Sequence, residues 1–177
     1  MAGDSNLFEQ TTLAPTEESY LKSLEHKIID DRIIRIVSFY LDDDEYAVDI
    51  GDVVRVVKPR EFTEIPHVPA FIKGVISVRG EMVPVMDVKK RLGIGFMDYS
   101  SGYRILIVTY DGIKMGLFVD RMGWVLDVPA SLFEEIRHKR VKPSRKFLKG
   151  IIFLFGRPVY LLRTDKLFDM RDSRKER

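Results

Sequence analysis

Apolar and polar residues alternate over short stretches along most of the chain, and this two-residue period is typical of half-buried β-strands. Residues 33–41 are rich in β-branched and aromatic side chains and lead into an aspartate-rich turn over 42–44. Apolar residues alternate again over 46–50, and a short apolar segment over 53–57 follows. The pattern up to residue 57 therefore predicts strands separated by tight turns.

A second group of strands follows a proline-rich loop. Residues 75–78 and 82–86 predict a hairpin around Arg79 and Gly80, and Asp87 can cap a short helix after it. The same rhythm returns after a linker, with strands predicted at 103–110, 113–119 and 124–128. We therefore expect a mainly β protein with short helices.

The order of these elements is repeated within the chain. Residues 36–57 align with residues 105–126 without a gap, strand for strand and turn for turn. Residues 71–92 align with residues 147–168, and seven of these 22 positions are identical, where chance would give about one. Positions that are alike in both copies are expected to serve the common fold. Arg79 aligns with Phe155 and Arg55 with Trp124, so these positions have diverged.

The repeat predicts two copies of one small β-unit. Each copy is too small for a sandwich, and closure into a barrel would remove its exposed strand edges. We expect two packed five-stranded barrels, one over about 33–93 and the other over about 103–168, and an exchange of a terminal strand between them stays open. Residues 1–32 form an N-terminal extension, and residues 169–177 form a charged tail.

The N-terminal extension contains a predicted helix. Residues 1–15 are small and polar, and we expect them to be disordered. Further along, Leu21, Leu24 and Ile28 share one helical face. Thr16 is a suitable N-cap for this helix. Such a helix either packs on the body of the protein or docks with a partner.

The composition limits the classes of function. Apolar residues make up 45% of the 177 positions, which excludes a mostly disordered chain, and the net charge of +2 is small for a dedicated nucleic-acid binder. The chain has no cysteine, so disulfides and thiolate chemistry are excluded. The first residues lack a signal-peptide profile, and every apolar run is far shorter than the roughly 20 residues that span a bilayer. We expect a soluble, cytoplasmic protein.

The residue types that usually carry catalysis are not grouped in the sequence. His26, His67 and His138 lie in separate segments without metal-ligand spacing, and no serine lies in a nucleophile elbow. The acidic run at 42–45 lacks the alternating ligands and central glycine of a calcium loop, so a solvated turn is expected. We predict no catalytic residue, no metal site and no cofactor, and hence a protein that is not an enzyme.

A basic run over 137–146 keeps a second class of function open. Its cations could bind nucleic-acid phosphates while nearby aromatic rings stack on bases. A solvated loop is favoured, because Pro143 and Ser144 suit a loop and acidic residues elsewhere balance the charge. Steering toward an acidic protein partner is an intermediate interpretation.

The sequence resembles the CheW-like domain family of chemotaxis coupling proteins. The most specific stretch is Pro69-Ala-Phe-Ile-Lys-Gly-Val-Ile, which ends in Arg79-Gly80. The resemblance covers nearly everything from residue 33 to residue 168, and its other motifs are Glu45-Tyr-Ala-Val-Asp-Ile, Val83-Pro-Val-Met-Asp-Val, Met115-Gly-Leu-Phe-Val-Asp, Phe147-Leu-Lys-Gly and Asp165-Lys-Leu-Phe.

The resemblance implies a pair of SH3-like barrels and a non-catalytic adaptor. Members of this family join the signalling tips of transmembrane chemoreceptors to the regulatory domain of a CheA-type histidine kinase, which is itself CheW-like. The length of 177 residues leaves no room for a kinase or receiver domain, so a free-standing adaptor is expected. Such an adaptor has no cofactor, does not insert into the membrane, and is recruited to membrane-associated receptor arrays.

The resemblance also implies two sets of contact residues. The receptor-binding set is Arg79, Gly80, Arg55 and Val53. The kinase-binding set is Val54, Val56 and Gly74. In relatives, the arginine that matches Arg79 borders the groove for the receptor tip, whereas a structural role in binding loop carbonyls is the alternative for this side chain.

The chain departs from the family pattern at two places. Ser77 and Val78 replace the usual asparagine and leucine before Arg79. Position 55, often glutamate in relatives, is arginine. If the two positions lie close together in space, Arg55 and Arg79 would place two cations side by side.

Overall fold

The computed structural model describes residues 32–100, 102–136 and 143–171, and within these residues eleven strands form two sheets. The strands are β1 (Ile33–Leu41), β2 (Asp44–Asp49), β3 (Val53–Val57), β4 (Ile72–Val78), β5 (Glu81–Asp87), β6 (Arg104–Tyr110), β7 (Ile113–Val119), β8 (Arg121–Pro129), β9 (Phe133–Glu134), β10 (Leu148–Leu154) and β11 (Arg157–Leu162). The helices are α1 (Val88–Leu92) and α2 (Thr164–Phe168), with 3-10 turns at Ile50–Asp52, Ala130–Leu132 and Arg145–Phe147.

The two sheets confirm the mainly β architecture. The five-stranded sheet has the order β3-β6-β7-β5-β4, and the six-stranded sheet has the order β8-β1-β2-β11-β10-β9. The internal repeat relates the first five strands of the six-stranded sheet, one by one and in the same order, to the strands of the five-stranded sheet. The extra strand β9 corresponds to a single bridge between Thr63 and Val75 in the five-stranded sheet. The expected pair of five-stranded units is therefore present, and one of them carries this short strand in addition.

Each sheet takes its central hairpin from the other half of the chain. The β1–β2 hairpin lies between β8 and β11, and the β6–β7 hairpin lies between β3 and β5. The sheets therefore do not follow the chain order of one unit over about 33–93 and another over about 103–168. A whole hairpin is exchanged rather than one terminal strand. The exchange is possible because the two hairpins follow the same apolar pattern, so either sheet can accommodate either hairpin.

The exchanged hairpins build the main core. They pack against each other between the sheets, where Phe39 and Tyr46 meet Leu106 and Leu117, all at most 1% exposed. Two smaller clusters lie within the individual sheets. Burial of each such large side chain stabilises the fold by about 1.5–3 kcal/mol. Neither half can form this core alone, so the two sheets are expected to fold as one unit.

A bulge recurs at one repeat position, and glycine is required there. The pairing shifts between Ile72 and Gly74 in β4 and between Leu148 and Gly150 in β10. An added Cβ at Gly74, where φ is +149°, would lie 2.1 Å from the carbonyl oxygen of Thr63. An added Cβ at Gly150 would lie 2.2 Å from the ring of Phe133. The glycines that align in the two copies therefore serve close packing.

Helix α1 connects the two sheets through a buried lysine. Asp87 caps the helix by accepting from the backbone N–H of Lys90 at 3.0 Å, as expected from the sequence. Lys89 Nζ contacts Asp42 Oδ1 at 2.6 Å and Asp120 Oδ2 at 2.8 Å, while its side chain is only 5% exposed. Burial alone would lower the pKa of Lys89, but the hydrogen bonds to Asp120 and Asp42 outweigh it and raise that pKa above 10.5.

Arg91, on the same helix, bridges the two copies of the repeat. Its guanidinium carbon lies 4.3 Å from the ring centre of Phe71 and 5.0 Å from that of Phe147, which are equivalent phenylalanines of the two copies. Its N–H groups donate to the backbone carbonyls of Lys166, Leu167 and Asp169, around the end of α2. A planar cation that contacts two rings and also donates to several carbonyls fixes the orientation of both helices.

Several predicted features are not covered by the structure. The predicted helix within 16–31, the disordered start and the tail beyond residue 171 lie outside the described residues. Among the described residues, no helix could cross a bilayer, since α1 and α2 contain five residues each.

We predict that Arg91→Met lowers the free energy of unfolding by about 3 kcal/mol, because it leaves three carbonyls without their donor and removes the stacked cation. Urea unfolding measures the change. Lys90→Met, on the exposed side of the same helix, is the control and should shift the value by less than about 0.5 kcal/mol. An Arg91→Met loss no larger than that of the control contradicts the role of Arg91.

We predict that Lys89→Met lowers the free energy of unfolding by about 2 kcal/mol. Loss of a fully buried ion pair would lower it more, but Asp42 is 66% exposed. The pKa of Lys89 is raised by folding, so its stabilisation is present below about pH 10.5 and disappears as the pH rises through the folded-state pKa. The difference between wild type and Lys89→Met in urea unfolding should therefore be constant near neutral pH and shrink in strong alkali. A difference that grows with pH contradicts this assignment.

Candidate functional site

Arg55 and Arg79 line one small pocket at the end of the five-stranded sheet. The pocket has a volume of about 110 Å³. Its lining residues are Val54, Arg55, Val78, Arg79, Glu81, Val83, Ile107 and Lys114, and we call it the arginine pocket. The structure therefore brings together the two arginines that the sequence singled out, and it places two cations side by side.

The β4–β5 turn presents Arg79 to solvent. Arg79 has φ of 53° and Gly80 has φ of 84°, as in a two-residue hairpin turn of type I′. Asparagine is the usual residue at the first position, and a left-handed arginine costs about 1 kcal/mol. The exposed side chain of Arg79 makes no hydrogen bond or ion pair with the residues that the structure describes. The carbonyl-binding alternative for Arg79 therefore finds no support within that part of the chain.

A bulge in the edge strand β3 sets the position of Arg55. Two residues, Val53 and Val54, lie opposite Val108 of β6, and regular pairing resumes with Arg55 opposite Ile107. Arg55 is half-buried and, within the described residues, has no hydrogen-bond or ion-pair partner. A cation that is partly withdrawn from water without a partner is energetically costly. Such a group is a candidate for contact with an external carboxylate or carbonyl.

The single carboxylate that lines the arginine pocket is already engaged. Glu81 Oε2 lies 2.6 Å from Lys114 Nζ, and both side chains are at the rim. The charges of Arg55 and Arg79 are therefore not compensated by this pair. The arginine pocket offers two guanidinium groups above an apolar floor, which suits an acidic or carbonyl-rich segment with apolar neighbours.

The other predicted receptor-binding residues take different positions. Gly80 lies beside Arg79 in the exposed turn but does not line the pocket. Val53 is partly buried and packs against the core between the two sheets. The structure thus brings together only two of the four predicted residues as pocket-lining side chains.

The predicted kinase-binding residues divide in the same way. Val54 and Val56 are 38% and 42% exposed on edge strand β3, and Val54 also lines the arginine pocket. Gly74, in contrast, is buried against the backbone of residues 63 and 64. Gly74 therefore has neither a side chain nor exposed surface to offer, and it maintains the bulge in β4. Its assignment to the kinase-binding set stays a prediction.

Sequence reasoning missed an exposed aromatic surface at the equivalent end of the six-stranded sheet. Trp124 is 72% exposed, and Phe155 is fully exposed in a strained turn with φ of 50°. The backbone N–H of Trp124 donates to Ser38 Oγ at 2.8 Å, across a bulge between β1 and β8. An added Cβ at Gly123 would lie 2.2 Å from the same oxygen. The internal alignment could have identified this surface, since Trp124 aligns with Arg55 and Phe155 aligns with Arg79.

A further cavity has a mixed charge. It measures about 400 Å³ and lies where the end of β2 meets β11 and α2. Asp49, Asp52 and Lys149 line it, and Arg163 binds Asp165 there at 2.8 Å. Among the described residues, no group of three or more histidine or acidic side chains could hold a metal ion.

Comparison with known proteins agrees with this geometry. A family model described as a CheW-like domain matches residues 35–172. A probable chemotaxis protein CheW from Rhizobium etli is 28% identical over 138 residues, covering 78% of this chain and 89% of its own length. Chemotaxis protein CheW from Thermotoga maritima is 29% identical over 136 residues, covering 76% and 87% respectively.

A solved structure supports the same assignment. The crystal structure of scaffolding protein TtCheW from Thermoanaerobacter tengcongensis aligns with a TM-score of 0.72 and 34% identity, covering 79% of this chain and 90% of that one. The family model spans most of the chain and includes both sheets, the arginine pocket and the exposed aromatic surface. The chain therefore belongs to the CheW-like domain family.

Proposed function

We propose that this protein is a non-catalytic adaptor of bacterial chemosensory signalling that couples chemoreceptors to a CheA-type histidine kinase. The observation that carries the proposal is the coincidence of the arginine pocket with the most specific family motif. Arg79 lies at the end of that motif and lines the arginine pocket with Arg55. Membership of the CheW-like domain family, with relatives named as chemotaxis and scaffolding proteins, supports it.

The receptor contact is proposed at the arginine pocket. Two guanidinium groups without partners in the described part of the chain can bind carboxylates or carbonyls of a receptor signalling tip with little reorganisation. The apolar floor would receive a flanking aliphatic side chain. Arg55 takes part in this contact. We therefore expect the receptor segment that binds here to be more acidic than a segment that binds a relative with glutamate at position 55.

The kinase contact is proposed at edge strand β3. Val54 and Val56 form an exposed apolar strip there, and among the strands that the structure describes β3 pairs with β6 alone. Such an edge can bind an apolar strip of the kinase's regulatory domain. Each interface would be modest, and assembly in a membrane-associated array would raise the effective concentration of the partners.

An adaptor of this kind makes and breaks no covalent bonds. Its requirement is a rigid body that holds two contacts in a fixed relation, and the shared core and the Arg91 bridge support that rigidity. The nucleic-acid alternative is not favoured by any observation. Residues 137–142, the greater part of the basic run, lie outside the described residues.

We predict that Arg79→Glu leaves the melting curve unchanged and weakens binding to a receptor signalling tip at least about tenfold, because it puts a carboxylate where the partner's acidic groups bind. Co-sedimentation with receptor-containing membranes measures the effect. Arg145→Glu makes the same charge change at an exposed position outside the arginine pocket and should bind as wild type does. Wild-type binding by folded Arg79→Glu would sink the receptor assignment.

We predict that Val56→Asp weakens binding to the kinase's regulatory domain about tenfold, because it buries a charge in the proposed apolar contact. A titration with the isolated regulatory domain gives the affinity. Ile113→Asp, at the exposed tip of the β6–β7 hairpin, is the matched control. Equal affinities of the two variants for the kinase domain, with normal melting curves, would refute the role of β3.

A further inference from the structure

The internal repeat continues beyond the two short helices. Helix α1 aligns with α2, and without a gap Ile94 then aligns with Met170. Both side chains are partly buried and pack against the core between the sheets. The chain therefore leaves the two helices along equivalent paths, at least as far as these two residues.

In the first copy, the segment after the helix folds back onto the five-stranded sheet. The backbone N–H of Met97 donates to Asp87 Oδ2 at 3.1 Å. Two residues further on, the ring of Tyr99 packs edge-on against Phe118, with 5.0 Å between the ring centres, and Lys73 Nζ lies 5.6 Å from the centre of the Tyr99 ring. Tyr99 thus covers the place where β4, β5 and β7 meet.

The equivalent place in the second copy is the cavity of about 400 Å³ beside α2. Lys149, which lines it, aligns with Lys73, and Asp49 aligns with Phe118. Among the described residues, no side chain fills this place as Tyr99 does in the first copy. We call it the α2 cavity, and its lining residues are Asp49, Asp52, Tyr110, Lys149, Leu161, Leu162, Arg163, Thr164 and Asp165.

The charges of the α2 cavity favour a cationic occupant. Arg163 and Asp165 neutralise each other in an ion pair of 2.8 Å, which leaves the carboxylates of Asp49 and Asp52 against the single ammonium of Lys149. Asp52 is half-buried, and its side chain has no hydrogen-bond or ion-pair partner within the described part of the chain. A carboxylate in that position is costly unless a cation binds it.

Thr164 adds a second polar group that lacks a partner at this cavity. It lines the cavity, is only 4% exposed, and its hydroxyl makes no hydrogen bond with the residues that the structure describes. Its counterpart in the first copy is Val88, just as the counterpart of Asp49 is Phe118. Buried hydroxyl groups are normally hydrogen-bonded. The second copy is therefore suited to a polar occupant where the first copy has an apolar ring.

The repeat also indicates which segment of the chain reaches this cavity. Tyr99 is the fifth residue after Ile94, and Lys175 is the fifth residue after Met170, so Lys175 is the counterpart of Tyr99. Residues 172–177, which we call the tail, lie outside the described residues. The tail has the sequence Asp-Ser-Arg-Lys-Glu-Arg and carries three basic and two acidic side chains, a net charge opposite to that of the α2 cavity.

We propose that the tail docks into the α2 cavity, where Lys175 binds the carboxylates of Asp49 and Asp52. An ion pair in the second copy then replaces the contact between Tyr99 and Phe118 in the first. Residues 49–52 lead directly into edge strand β3, so the docked tail holds the start of that strand. This contact lies within one chain and does not depend on the proposed adaptor function.

The first test is chemical coupling of the purified full chain with a carbodiimide, which joins a carboxylate to an amine when the two are in contact. In the wild type, Lys175 should be coupled to Asp49 or Asp52, and mass spectrometry of the digested monomer identifies the joined peptides. A mixture of isotope-labelled and unlabelled protein shows whether the two residues belong to one chain. The control Lys175→Arg keeps the charge but cannot form the amide.

The second test is a double-mutant cycle in urea. Asp49→Asn keeps an acceptor for the backbone N–H of Gly51, which Asp49 Oδ1 binds at 2.8 Å, and Lys175→Met removes the cation. Each variant should raise the equilibrium constant of unfolding about threefold, and the double variant should raise it no further, because either change already breaks the ion pair. Lys58→Met, at an exposed position beyond the end of β3, should instead be additive with Asp49→Asn.

Three results would overturn the proposal. One is a wild-type monomer in which Lys175 is not coupled to either aspartate. Another is coupling only between two chains, which would assign the α2 cavity to a second copy. The third is additivity of Asp49→Asn and Lys175→Met, which would show that the two charges do not interact.

Discussion

The fold depends on one buried cation that both copies of the internal repeat contact. Arg91 projects from α1, stacks between Phe71 and Phe147, and donates to carbonyls around the end of α2. Burial of a guanidinium is costly unless its donors are satisfied. Here the carbonyl oxygens accept from the N–H groups of Arg91, and the two ring faces contact its guanidinium. A lysine could not replace Arg91, because it has no planar group that contacts both rings. The contact fixes where the two sheets lie relative to each other.

The exchange of hairpins makes this arrangement cooperative. The core between the sheets is formed by Phe39 and Tyr46 from one hairpin and by Leu106 and Leu117 from the other. Each hairpin is also the centre of a sheet whose outer strands come from the opposite half of the chain. Loosening of one sheet therefore disrupts the other. An adaptor benefits from this coupling, because a fixed relation between two docking surfaces lets both partners bind without an ordering cost at each event.

The turns and the helix cap could be predicted from the sequence, because they depend mainly on residues that are neighbours in the chain. The aspartate turn after β1 and the Arg79-Gly80 turn are both two-residue loops with left-handed residues, and Asp87 caps α1 as expected. The exchange of hairpins could not be predicted, because both hairpins follow one apolar pattern and only their packing distinguishes them. The short strand β9 was missed because two residues carry no periodicity.

The candidate site was predictable in part for similar reasons. The family motif and the divergence between repeat copies pointed to Arg55 and Arg79, which meet in one pocket. The structural role of Gly74 could not be predicted, because it depends on the lack of a Cβ next to Thr63, and only the tertiary structure shows that contact. Trp124 and Phe155 were visible in the same alignment, but an aromatic residue on a strand usually indicates core, and only their exposure shows otherwise.

The central claim is that one rigid, non-catalytic body holds two different partners at once. Its most direct test is retention of the purified kinase regulatory domain on an immobilised receptor signalling tip, with and without this protein. The account predicts that the kinase domain is retained only when the protein is present, in a complex that contains all three components. Displacement of the receptor tip by the kinase domain, or retention that does not depend on this protein, would contradict it.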